Sequence, residues 1–98
     1  MKMEKYIIDV LKGLKPEKTV VKKLRNEKNF LFLRDKTKKI LVLNHTAREI
    51  YNACKGANVG EIIRTISSKY PNIDIEKISI DILICLRDLE TRGLLVLR

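Results

Sequence analysis

Residues 40–56 read ILVLNHTAREIYNACKG, and the period of the apolar residues changes within that stretch. Ile40, Leu41, Val42 and Leu43 are four consecutive apolar residues, the composition of a strand buried on both faces. Thr46 and Glu49, just beyond, have the spacing of a capping box, in which hydroxyl and carboxylate each satisfy a free backbone N–H. A helix is predicted to start there and to end near Gly56. A chain that changes from strand to helix at this point keeps its sheet in front and its helices behind, which makes it α+β.

The upstream sequence agrees. β-branched and aromatic residues gather in TVVKKLR (19–25), NFLFLR (29–34) and KILVL (39–43), which predicts three strands. Residues 26–28 and 35–38 between them are short and polar, as antiparallel hairpins require. Residues 30–33 and 40–43 do not alternate, so both faces of the second and third strands are expected to be packed. Met3, Ile7, Val10, Leu11 and Leu14 recur at helical spacing; a short helix is predicted over 3–14, weakened by Gly13 and ended by Pro16.

Downstream, Asn58 and Glu61 repeat the capping-box spacing and open a second helix through Ile62, Ile63 and Ile66 to about residue 70, where Pro71 stops it. Asp74 caps a third, over 75–92, closed by Gly93. The apolar tail, 94–97, is expected to tuck onto the core. A three-stranded antiparallel sheet followed by a three-helix bundle is an architecture of winged helix-turn-helix type. The 98 residues are read as a single domain, with a terminal extension (1–15), a sheet (19–43) and three helices (46–92).

At 100° per residue, Ile75, Ile78, Ile82, Cys85, Leu86 and Leu89 form one stripe of the third helix, enough to seal a core. Ile80, Leu83 and Ile84 extend the apolar surface onto a second face, leaving Lys77, Asp81, Asp88 and Arg92 as a narrow solvent strip. That second face needs a partner: the sheet, a second copy of the chain, or a ligand in a groove.

The formal charge of +9 raises the question of nucleic acid. Residues 1–39 hold thirteen Lys and Arg against five Asp and Glu, a balance of +8; residues 40–98 hold eight against seven, a balance of +1. The third helix, which a helix-turn-helix protein would place in the major groove, has a balance of −2 over 74–92 and no Asn, Gln or arginine cluster to read bases. Only five residues follow Gly93, too few for a wing. Nucleic-acid binding through the basic strands stays as the runner-up.

An enzyme is not expected. The one histidine, His45, sits beside a helix cap with no nucleophile motif, and the four glycines are scattered rather than gathered into a phosphate loop. Cys54 and Cys85 lie in helical patterns as buried residues, with no second pair or histidine cluster, so neither metal nor cofactor is expected. No apolar run reaches the length of a membrane span, and residues 1–5 lack a signal-peptide core; a cytoplasmic location is expected. Peptide binding uses what is left: an edge strand offers unpaired N–H and C=O groups to an extended peptide, and an apolar helix face supplies the wall.

LVLNHTAREIYNACKG, then VGEIIRTISSKY, then DILICLRDLETRGLL resemble the family of the pyrroloquinoline quinone biosynthesis protein D. Its pattern runs L-N-x-T-A-x-x-I to a Gly, then v-x-E-I, then a long helix ending L-x-x-x-G-L-L. Leu43, Asn44, Thr46, Ala47, Ile50, Gly56, Glu61, Ile62, Leu89, Gly93, Leu94 and Leu95 fall on it, and the likeness spans about residues 19–95. The resemblance implies a winged-helix fold that binds the leader segment of a ribosomally made precursor peptide as an added strand. It also implies presentation of that peptide to a modifying enzyme, often of the radical S-adenosylmethionine type, with no chemistry by the domain itself. On this chain the peptide-binding residues would be Ile40, Leu41, Val42 and Leu43 on the strand and Ile80, Leu83, Ile84 and Arg87 on the helix.

The sequence departs from the family at two places: Lys55 precedes Gly56 where the family often has Asp, and Lys38 stands in the second hairpin where the family often has Gly. Residues 1–15 lie outside the resemblance and could cover the sheet, pair two chains into a homodimer or dock the enzyme. The basic first half would attract an acidic peptide or an acidic enzyme surface.

Overall fold

In the computed structural model, which describes residues 10–19, 22–26, 30–34 and 38–98, strands lead and helices follow. The elements are β1 (Pro16–Lys18), β2 (Lys22–Asn26), β3 (Leu31–Arg34), β4 (Ile40–Leu43), α1 (His45–Ala53), α2 (Val59–Ser67), α3 (Ile75–Thr91) and β5 (Leu95–Leu97). β2, β3 and β4 pair antiparallel in that order, and β1 pairs antiparallel with β5 in a separate two-stranded sheet. Among the described residues the chain is thus α+β, with three full helices and small antiparallel sheets. Residues 3–9 of the expected first helix lie outside the described residues. Residues 10–14 close one turn, with the Gly13 and Leu14 N–H groups on the Val10 and Leu11 carbonyls.

The cap of α1 differs from the expected one. Asn44, in extended backbone, caps the helix: its Oδ1 accepts from the Ala47 N–H at 2.9 Å. Thr46 is already helical, because β4 ends at Leu43 and leaves Asn44 at the junction. Glu49 accepts instead from the Tyr70 hydroxyl at 3.1 Å and the Lys69 ammonium at 3.3 Å, and lies 2.6 Å from His45 Nε2. These contacts tie α1 to the end of α2.

The cap of α2 is the expected box: Asn58 Oδ1 accepts from the Glu61 N–H and Glu61 Oε1 from the Asn58 N–H. The helix stops at Ser67, earlier than Pro71 demands. The Ser67 and Ser68 hydroxyls turn back onto the Arg64 and Thr65 carbonyls, and the chain tightens to Lys69 and Tyr70 N–H bonds three residues back.

Asp74 caps α3, and a Schellman turn ends it: Gly93 N–H bonds the Glu90 carbonyl and Leu94 N–H the Leu89 carbonyl. Gly93 takes φ 78°, the left-handed conformation that this motif requires. Leu89 and Leu94, which bracket the turn, are both buried.

The core lies between one face of the β2–β4 sheet and the helices. Leu31, Leu33, Leu41 and Leu43 enter it from the sheet; Ile50, Ile62, Ile63, Ile66, Ile82, Leu86 and Leu89 enter from the helices. Leu94 and Leu95 close it, as the apolar tail suggested. The tail does so as a strand, held to β1 by reciprocal bonds between Lys15 and Arg98 and by Thr19 Oγ1 on the Gly93 carbonyl at 2.7 Å. The expectation for Ile75 fails: it is 56% exposed, since the first residue of α3 projects beyond the elements that cover the stripe. Among the described residues, no helix is long and apolar enough to cross a membrane.

Candidate functional site

β3 sits between β2 and β4, so β4 has one paired edge and, among the described residues, one unpaired edge. Its register with β3 sets Leu31 opposite Leu43, Phe32 opposite Val42, Leu33 opposite Leu41 and Arg34 opposite Ile40. No turn, loop or cap hydrogen bond among the described residues reaches residues 40–43. Among the described residues, the second edge is therefore open to an added strand.

The apolar run does not have both faces packed, as the missing alternation led us to expect. Leu41 and Leu43 are buried, but Ile40 is 54% and Val42 44% exposed. The strand alternates in burial without alternating in polarity.

α3 presents two flanks. With Ile82 at the centre of the buried stripe, Asp81 and Cys85 fall to one side and Leu83 and Arg87 to the other, while Lys77 and Ile84 lie close together on the outer face. An apolar hollow of about 300 Å³ adjoins each.

The expected helix residues share the second flank in part. Leu83, Ile84 and Arg87 line one hollow together with Leu11, Leu14, Val59 and Leu97. Leu83 is buried, Ile84 is 62% exposed, and Ile80 is partly buried against the core. None of residues 40–43 lines this hollow, and β5 runs along this flank, with the Leu97 N–H on Glu90 Oε2 at 3.0 Å. The structure thus brings the strand residues together with one another, and three of the helix residues with one another, in separate places.

The other hollow begins three residues beyond β4. Thr46 and Ile50 of α1 face Ile78, Asp81, Ile82 and Cys85 of α3, and Ile66, Tyr70 and Ile73 close its end. Sequence reasoning missed it because Lys77 and Asp81 read as plain solvent residues. They are exposed, yet they form its rim. The Glu49 cluster supports this end by fixing Tyr70. Burial would push the Glu49 carboxyl up, but hydrogen bonds from Tyr70 and Lys69 and the positive charges of Lys69 and His45 outweigh it and hold the group below its ordinary value.

The cysteines are poor nucleophiles. Burial pushes the Cys54 thiol up to about 11, and its Sγ–H donates to the Ile50 carbonyl. Burial and the nearby Asp88 raise Cys85 as well. Among the described residues, no three His, Cys, Asp or Glu gather closely enough to hold a metal ion.

Comparison with known proteins identifies the fold and the family. A solved structure described as "TbiB1 in Complex with the TbiA(beta) Leader Peptide" matches with a TM-score of 0.69, covering 81% of this chain and 93% of that one at 20% identity. At that identity the likeness establishes the fold. No curated protein matches the sequence. The model of the coenzyme PQQ synthesis protein D (PqqD) family matches residues 30–95, from the start of β3 into β5 and through all three helices. The chain belongs to the coenzyme PQQ synthesis protein D family.

Proposed function

We infer that this protein is a recognition module of winged-helix type for the leader segment of a ribosomally synthesised precursor peptide. The unpaired edge of β4 carries the reading. A leader segment adds there as a strand beside Ile40, Leu41, Val42 and Leu43, forming main-chain hydrogen bonds that owe little to its sequence. Alternate side chains enter the hollow of Thr46, Ile50, Ile82 and Cys85, which selects aliphatic or aromatic groups. Family membership supports the reading, as does a structural neighbour described with a leader peptide bound. The module does no chemistry; it presents the peptide to a modifying enzyme, which we take to be of the radical S-adenosylmethionine type, in the cytoplasm.

The flank of Ile80, Leu83, Ile84 and Arg87 is the alternative wall, and mutation separates the two. Thr46 is exposed and is not the helix cap, so Thr46→Arg obstructs the first hollow while leaving α1 intact. Peptide affinity, read by fluorescence anisotropy with a candidate leader peptide, is expected to fall about tenfold or more. Ile84→Asp is expected to leave it unchanged. The reverse pattern would move the site to the flank of Leu83 and Arg87.

A further inference from the structure

We propose that the outward face of β3 and β4 is a docking surface for an acidic amphipathic helix of a partner protein. Leu31, Leu33, Leu41 and Leu43 point into the core, so the period of two sends Phe32, Arg34, Ile40 and Val42 to the opposite face, with Phe30 extending the row. Phe30, Ile40 and Val42 are exposed, and Phe32 stands opposite Val42. A contiguous apolar face of this kind marks an interaction site.

Charge and size choose the occupant. Arg34, opposite Ile40, has a covered Nε–H with no acceptor among the described residues. A covered guanidinium donor without a partner costs free energy that a carboxylate would recover. Lys38 and Lys39 are exposed at the adjoining hairpin. A second copy of this chain would bring two such basic faces together, each from a stretch with a balance of +8 over residues 1–39. Four-residue strands extend about 13 Å, a width that one helix of roughly 10–12 Å covers. The fitting partner is a helix with an apolar stripe flanked by Asp and Glu. This surface does not depend on peptide capture at the β4 edge; where both operate, the partner sits beside the captured strand.

The probe is a synthetic helix of about five turns with a Leu stripe and Glu flanks, alongside a control with Lys in place of Glu. Side-chain NMR of the full chain is expected to show shifts at Phe30, Phe32, Ile40 and Val42. The Glu helix should bind about tenfold more tightly than the control, and Phe30→Ser, Phe32→Thr and Arg34→Gln should each weaken it severalfold. Phe30 lies outside the strands, so its variant keeps the test valid if Phe32→Thr unfolds. Equal binding of the two helices would overturn the proposal, as would contacts from the chain's own residues 1–9 to Phe32. Dimerisation that Phe30→Ser abolishes would assign the face to a second copy and also overturn it. Peptide capture is read separately, from the β4 amides, so failure here leaves that reading standing.

Discussion

Lys38 holds φ 67° in the hairpin between β3 and β4, a backbone conformation that L side chains adopt at a cost of about 1–2 kcal/mol. A glycine here would hold that angle without the Cβ penalty. Lys38→Gly is expected to stabilise the fold by about 0.5–1 kcal/mol in urea unfolding, the strain relieved less the backbone entropy that glycine adds. Glu49 supplies a pH dependence of known sign. Its native value lies below the ordinary 4.5, so its contribution is complete above that value and is lost as pH falls through the native one. The stability difference between wild type and Glu49→Gln should therefore be present above pH 4.5 and shrink as pH falls below it. At this scale the sequence was ambiguous where two polar residues competed. The box spacing pointed to Thr46, with Glu49 three residues on, whereas Asn44, followed at that distance by Ala47, is the cap because β4 ends at Leu43.

Among the elements, β1 and β5 were the least legible. PEK carries no strand pattern, and LVL is too short to be distinguished from a tail; backbone pairing across the ends of the chain makes both into strands. Leu95 is buried in that closure, and Leu95→Ala is expected to cost about 2–4 kcal/mol by calorimetry or urea unfolding. α2 and α3 were legible because periodicity and caps agree, and the inner stripe of α3 followed from it at Ile78, Ile82, Leu86 and Leu89. Periodicity does not say what stands against each flank. That is why Leu83, Ile84 and Arg87 were paired with β4 in the sequence reading, although β5 and Leu14 adjoin them. The edge strand itself was legible as the last strand before the helices. Val42→Pro should abolish peptide binding by disrupting the β4 ladder while leaving the helical circular dichroism largely intact.

Over the whole molecule, the order of strands and helices and the asymmetry of charge were plain in the sequence, and both bear on function. A basic first half beside an edge unpaired among the described residues would attract acidic partners, raise association rates and lose its effect as salt rises. The same charge would attract nucleic acid through phosphate contacts with no sequence reading. The two accounts separate in an amide-resolved NMR titration of the labelled protein at moderate salt, with a candidate precursor peptide and, separately, with random duplex DNA. Strand addition predicts shifts at residues 40–43 and along the Asp81–Cys85 flank of α3 with peptide, and slowed exchange of the β4 amides. Shifts spread over the lysines of the first half with DNA, and none at β4 with peptide, would contradict it.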